Sequence, residues 1–177
     1  MGIIRESHSN QSGFSLVDTL FGMVILGGGL LALALAFSQA MVFMSTSHYQ
    51  EIAKEKAQEA MESVTCARDS LVLTWAQIAN VSQGGVFLDG AQPLRVPGPD
   101  GLVDTADDGA VECETLPGPD GILGTADDVV LPLTDFSRQI QITNIATNLR
   151  QITVTITYTI GSVTRSYQLI TYLSSFA

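Results

Sequence analysis

Residues 14–44 read FSLVDTLFGMVILGGGLLALALAFSQAMVFM, an apolar stretch in which Asp18 is the only ionisable side chain. As an α-helix this stretch would extend for about 45 Å, which exceeds the roughly 30 Å of a bilayer's hydrocarbon core. A secretory signal peptide has a shorter apolar stretch, of about 7–15 residues, followed by a small-residue cleavage site. We therefore predict one transmembrane helix over residues 14–44. A chain of 177 residues then has room for one further domain of modest size.

A polar leader, residues 1–13 (MGIIRESHSNQSG), precedes the apolar stretch and ends at Gly13. The motif G-FSLVD followed by a long apolar helix resembles the signature of type IV prepilins, which is G-F-[TS]-L-[IV]-E. In that family a membrane aspartyl peptidase cuts after the glycine and methylates the new N-terminal phenylalanine. The resemblance implies cleavage after Gly13 and methylation at Phe14. Asp18 would then be the fifth residue of the mature chain, where the family usually has glutamate.

Asp18 needs a partner on physical grounds alone, because an unpaired carboxylate inside a membrane helix costs a few kcal/mol. Cleavage after Gly13 would create an α-amine that is mostly charged near neutral pH. We predict that Asp18 of one subunit pairs with this amine of its neighbour and sets the register of assembly. The alternative is that Asp18 lies at the headgroup boundary and pairs with nothing.

A second, amphipathic helical segment follows the apolar stretch over residues 45–70. Ala53, Ala57, Ala60 and Val64 recur at helical spacings, and charged side chains occupy the other faces. This stripe predicts that the helix continues past the membrane and packs against a globular head, residues 71–177.

The end of the chain has the pattern of an antiparallel sheet over residues 136–173. Apolar residues alternate with threonine over 152–160, Gly161 and Ser162 offer a turn, and 166–173 can pair back. Residues 136–143 form a third candidate strand. The sequence therefore predicts an α+β fold, pilin-like in the resemblance, with a long N-terminal helix packed on a small antiparallel sheet.

The negative charge of the chain is concentrated in one insertion, residues 89–135. It holds eleven of the eighteen acidic residues and a single base, Arg95, whereas the rest of the chain has seven acids and seven bases. Two repeats lie inside it, residues 97–108 (PGPDGLVDTADD) and 117–128 (PGPDGILGTADD), which match at nine of twelve positions. Because Pro-Asp-Gly favours turns, we predict that both repeats are loops.

Closely spaced carboxylates in loops are typical ligands of calcium, which takes six to eight oxygens. The repeats therefore predict a calcium site, although their spacing is not that of an EF-hand. The alternative is a pair of solvated turns whose aspartates cap their own backbone. The candidate ligands are Asp100, Asp104, Asp107, Asp108, Asp120, Asp127 and Asp128.

The two cysteines, Cys66 and Cys113, lie outside the apolar stretch, and a disulfide between them is an open alternative in an oxidising periplasm. Enzymatic activity is not predicted, and no catalytic residue is proposed, because after cleavage His48 would be the only histidine. The acidity of the head also disfavours nucleic-acid binding there, since phosphate contacts need lysine and arginine.

These patterns together favour a structural subunit, minor rather than major, of a type IV pilus or a type II secretion pseudopilus. The resemblance implies three kinds of partner: other pilin subunits, a prepilin peptidase and an inner-membrane assembly platform. It also implies storage in the inner membrane with the head outside the cytoplasm, then a periplasmic or extracellular filament. The alternative function is a single-pass, membrane-anchored, calcium-dependent binding module.

Overall fold

The computed structural model describes residues 15–176. It contains one α-helix, α1 (Leu16–Asp69), one 3-10 helix (Val81–Gln83) and six strands. The strands are β1 (Gln92–Pro93), β2 (Cys113–Leu116), β3 (Val129–Pro132), β4 (Phe136–Ala146), β5 (Leu149–Ile160) and β6 (Val163–Ser174). The predictions for Gly13 and Phe14 concern residues outside this described range.

The chain divides into two compact units, Met1–Ser45 and Thr46–Ala177. Helix α1 runs through the division. We call its residues 16–45 the apolar half and its residues 46–69 the packed half. The described part of the first unit consists of the apolar half and Ser15 before it, and the rest of the described chain forms the head.

The packed half buries one stripe of small apolar side chains in the core of the head, as the sequence predicts. The buried residues are Ile52, Ala53, Ala57, Ala60, Val64 and Ala67. Alanine at most of these positions lets the helix axis lie close to the sheet while keeping a high helix propensity. The helix ends at Asp69, and Leu71 follows in a left-handed conformation with φ of 58°.

The main sheet has four antiparallel strands in the order β1-β4-β5-β6. Its inner face is mainly apolar, with Ile140, Ile142, Ile152, Val154 and Ile156 at most 1% exposed. The threonines of β5 alternate with these residues and point to the other face. The three predicted strands and the turn at Gly161 are confirmed, and the prediction of a helix packed on an antiparallel sheet is correct.

A separate two-stranded sheet, formed by β2 and β3, lies within the acidic insertion. Both strands fall in a region that the sequence assigned to loops. Strand β3, with sequence VVLP, is exposed along its whole length. The second repeat forms the connection between these two strands.

Candidate functional site

Every described residue of the chain up to Ser45 is exposed. Large apolar side chains in the apolar half are 57–80% exposed, and an 18-residue window of α1 has a mean hydropathy of 2.4 with none of the window buried. The described residues contain one helix that is long and apolar enough to cross a membrane. A water-exposed surface of this composition is unfavourable, by about 25 cal/mol for each Å² of apolar area, so it needs an apolar environment.

Asp18 lies in the first turn of α1 and is exposed. Among residues 15–176 its carboxylate has no hydrogen-bond or ion-pair partner. At about 100° per residue, Gly22, Gly29 and Ala36 lie within about 40° of Asp18 around the helix axis. A Cβ built at either glycine meets no atom within 4 Å, so neither is required by packing within the chain.

The first repeat folds into a turn held by its own aspartates. The Asp100 carboxylate accepts a hydrogen bond from the Leu102 N–H at 2.9 Å, and the Asp108 carboxylate accepts one from the Asp104 N–H at 2.8 Å. The Thr105 hydroxyl donates to Asp107 at 2.8 Å. Asp104 adopts a left-handed φ of 58°.

The second repeat has the same hydrogen bonds at the equivalent positions. Asp120 accepts from the Ile122 N–H at 2.9 Å, Asp128 accepts from the Gly124 N–H at 2.7 Å, and the Thr125 hydroxyl donates to Asp127 at 2.6 Å. Gly124 takes the left-handed position with φ of 90°. The hydrogen bond from Thr125 is the largest of the effects that lower the pKa of Asp127.

The second residue of each repeat is glycine, and the chain closes on itself there. A Cβ at Gly98 would lie 2.5 Å from the Asp107 carboxylate, and one at Gly118 would lie 2.3 Å from the Asp127 carbonyl oxygen. The nine shared residues therefore encode one turn structure twice.

The two repeats differ in what surrounds them. Leu102 and Val103 of the first repeat are at most 3% exposed and belong to the core of the head. The equivalent residues of the second repeat, Ile122 and Leu123, are 60% and 61% exposed. Neither repeat contains a helix or a strand, so the prediction of loops is confirmed. The alternative of solvated turns does not describe the first repeat, which is partly built into the core.

A buried ion network fixes the first repeat to β4. Asp104 is fully buried and pairs with Arg138, also fully buried, at 2.9 Å. Arg138 lies 3.6 Å from Glu112, and Lys56 of the packed half contacts both Glu112 and Glu59, the latter at 2.7 Å. The network therefore connects the helix, the sheet and the acidic insertion.

Burial disfavours the charged form of both Asp104 and Lys56, and their partners oppose this effect. Burial raises the pKa of Asp104 to about 6, although the neighbouring Arg138 guanidinium acts to lower it. Burial acts to lower the pKa of Lys56, but its hydrogen bonds to Glu112 and Glu59 outweigh this effect, and the pKa is raised. Asp104 Oδ2, Glu112 Oε1 and Arg138 Nη1 are buried without a hydrogen-bond partner in the described chain. Each of the two carboxylates therefore has one oxygen that accepts no hydrogen bond within residues 15–176.

The sequence analysis missed this network. Arg138 occupies an inward position of the predicted strand 136–143, in phase with Phe136, Ile140 and Ile142. An arginine among the inward-facing positions of a strand could have indicated, from the sequence alone, that a carboxylate must lie next to it in the core.

The described residues do not assemble a metal site. Within 15–176, no three histidine, cysteine, aspartate or glutamate side chains are grouped so that they could hold a metal ion. Carboxylate oxygens of both repeats accept hydrogen bonds from backbone N–H groups and threonine hydroxyls instead. These contacts are those of self-capped turns, and calcium binding stays a prediction from charge and composition.

The two cysteines are not bridged in this structure. Cys66 and Cys113 are both free and exposed. In this structure the ion network, rather than a disulfide, connects the helix to the insertion.

A small cavity of about 120 Å³ lies between the start of the packed half and the β2–β3 sheet. His48 Nε2 lies 3.0 Å from Glu114 at its rim, and Tyr49 stacks on Phe136 in its wall with ring centroids 5.1 Å apart. The lining is mainly apolar and contains no serine, threonine or cysteine beside the histidine.

No protein-family model, curated protein or solved structure matches this chain.

Proposed function

We propose that this chain is a structural subunit, a minor one, of a type IV pilus or a type II secretion pseudopilus. In this proposal it is cleaved after Gly13, methylated at Phe14 and assembled through its N-terminal helix. The observation that carries the proposal is the helix itself. One continuous α1 is fully exposed and apolar over its first half and packed into a head over its second half.

This division of α1 favours a subunit whose apolar half moves from the bilayer into the core of a filament. The apolar half has the length for a bilayer before assembly, and the same side chains can bury against neighbouring helices in a filament core. Residues 16–18 of the G-FSLVD motif form the start of this helix, so the cleavage site that the prepilin signature places after Gly13 precedes the helix directly in sequence.

The position of Asp18 also supports assembly through the helix. Its side chain has no partner among the described residues, and Gly22, Gly29 and Ala36 lie on the same face. Small residues allow the backbones of two helices to approach closely. A neighbouring subunit on this face would bring its N-terminal amine within reach of Asp18, which would offset the cost of a carboxylate in an apolar core.

The alternative of a calcium-dependent, membrane-anchored binding module uses the same helix only as an anchor. It gives Asp18 no partner, and the carboxylates of both repeats are already engaged in their own turns. We therefore favour the filament subunit.

The proposal is tested by following the chain through filament preparation. In cells with a working pilus or secretion system, sheared and pelleted filaments should contain the chain at its shortened mass. In otherwise identical cells without prepilin peptidase, it should stay in the membrane fraction at full length. A chain that stays in the membrane in both strains would contradict the proposal.

A further inference from the structure

The main sheet ends in two edges, and only one of them is closed. Strand β4 lies near one edge, and the two-residue strand β1, which includes Pro93, pairs with its beginning. Strand β6 is the other edge and, within residues 15–176, pairs only with β5, in a continuous register from Val163 to Ser174 without a bulge. An open edge strand presents unpaired backbone groups, so proteins usually protect it with proline, charge, a bulge or a covering element.

Beyond β1, the β4 edge is closed by side chains that hydrogen-bond to its outward backbone groups, as a neighbouring strand would. The Asn80 amide donates to the Ile140 carbonyl at 2.7 Å and accepts from the Ile142 N–H at 2.8 Å. Gln83 donates to the Ile142 carbonyl at 3.3 Å. Asn80 is only 5% exposed, so these bonds satisfy buried backbone groups.

The β6 edge has none of these protections along most of its length. Ile160 and Val163 flank a two-residue turn, so they form a hydrogen-bonded pair. The backbone N–H and C=O groups of the odd-numbered residues of β6 therefore point toward β5. The Ser174 carbonyl fits this phase, because it points away from β5 and accepts a hydrogen bond from Arg68 at 3.0 Å. The backbone groups that face the open edge belong to Thr164, Ser166, Gln168, Ile170 and Tyr172.

The composition of β6 also differs from the rest of the head. Residues 166–176 (SYQLITYLSSF) contain no charged side chain and no proline. Ile170 and Tyr172 are 49% and 61% exposed. Arg165 is the only ionisable group of the strand other than its tyrosines, whereas residues 46–176 hold sixteen acidic and seven basic residues. The strand is therefore a neutral to basic stripe on an acidic head.

We propose that β6 is a docking edge that accepts an extended segment of a different protein by β-strand addition. Five outward-facing residues offer ten backbone groups at the two-residue period that matches the ladder of a further antiparallel or parallel strand. The segment would be neutral or basic, because the acidic head repels negative charge. A second copy of this chain fits less well, since it carries the same net negative charge and, with its other sheet edge closed by Asn80, could pair here only through its own β6.

The test uses the full-length protein in detergent and a synthetic probe peptide, RQITVTITYT, which copies residues 150–159 of β5. Amide hydrogen exchange should show protection by the peptide at Thr164, Ser166, Gln168, Ile170 and Tyr172. A version of the peptide with glutamate at two threonine positions should bind more weakly at low salt. Absence of protection on β6, or protection confined to another element, would overturn the proposal.

A matched pair of variants separates the contribution of the Gln168 backbone N–H group from that of its side chain. Gln168→Val and Gln168→Pro both remove the amide side chain, but only proline removes the outward N–H group. We expect Gln168→Val to bind the peptide like the wild type, and Gln168→Pro to bind it about tenfold more weakly. Fluorescence of Trp75, the only tryptophan, reports whether each variant keeps the folded head.

Equal binding by folded Gln168→Pro and Gln168→Val would contradict strand addition. Protection of the same five residues without peptide, rising with protein concentration, would show that a second copy occupies the edge and would overturn the choice of partner. If Gln168→Pro does not fold, the exchange map of the wild-type protein decides the matter alone.

Discussion

The two halves of α1 are parts of one uninterrupted helix, yet the apolar side chains of one half are buried and those of the other are exposed. In the packed half, Ala57, Ala60 and Val64 are fully buried against the head. In the apolar half, larger side chains such as Leu30 and Phe37 are at least 60% exposed. The first set has its partner within the chain, so the second set must find its partner outside, in lipid or in neighbouring subunits. Substitutions in the two halves should therefore affect different measurements.

The largest expected effect comes from Asp18 in the apolar half. Asp18→Ala should insert into the membrane normally, because it removes a costly charge, but its incorporation into filaments should fall by at least about tenfold. Asp18→Glu should restore most of the incorporation. The measurement compares the amounts of each variant in sheared filaments and in membranes. Equal incorporation of Asp18→Ala and Asp18→Glu would remove the pairing argument.

Overpacking in the packed half should destabilise the head without changing membrane insertion. Ala57→Leu adds three carbons at a fully buried position and should lower the free energy of unfolding by about 1–3 kcal/mol. The matched control is Ala36→Leu, the same change at an exposed position of the apolar half. Thermal unfolding in detergent, followed by Trp75 fluorescence, should shift only for Ala57→Leu. A similar shift for both variants would mean that the two halves are not energetically distinct.

The ion network that joins the packed half to the first repeat should make head stability depend on pH. The folded pKa of Asp104, about 6, is above its ordinary value of 3.8, so the folded head binds a proton that the unfolded chain has lost. This contribution is present below pH 6 and is lost as pH rises through it. It amounts to about 1 kcal/mol between pH 5 and pH 7.

The measurement is the melting temperature at pH 5 and pH 7 for the wild type and for Asp104→Asn. Asparagine tolerates the left-handed backbone at this position and cannot titrate. The wild type should lose more stability than Asp104→Asn as the pH rises. Identical pH profiles would show that Asp104 does not titrate in this range.

Calcium binding by the repeats has the smallest expected effect. The repeats gather like charge, so calcium should raise the melting temperature of the head above its value in chelator. At a free calcium concentration of twice Kd the gain would be about 0.6 kcal/mol. Asp107→Asn combined with Asp127→Asn should remove most of it. If sodium chloride of equal ionic strength gives the same melting temperature, the repeats are turns only.

The main sheet and the packed half were predictable because their signals are local. Strands 152–160 and 166–173 alternate with a period of two, and the alanine stripe of α1 follows the helical period. Local patterns could not predict that the first repeat is partly buried and the second exposed. The two repeats share nine of twelve residues and the same turn, and their difference rests on Asp104 meeting Arg138, which lies 34 residues away. Only the folded chain brings such a pair together.

The candidate site was predictable to a smaller extent. Asp18 stood out because a lone carboxylate in an apolar stretch is costly, and its exposed position on α1 agrees with that argument. Asn80 gave no comparable signal, because a buried asparagine that closes a sheet edge looks in sequence like any other loop asparagine. Its role follows from its two bonds to β4.

The central claim, processing after Gly13, is tested most directly by the N-terminus of the mature protein. Mass spectrometry of the protein purified from cells with a prepilin peptidase should show a chain that begins at Phe14, heavier by one methyl group. Gly13→Val, made in the same cells, should remain at full length, because the peptidase must accommodate the chain at that position. A wild-type chain that begins at Met1 or beyond the apolar half, or a Gly13→Val chain at the mature mass, would contradict the account.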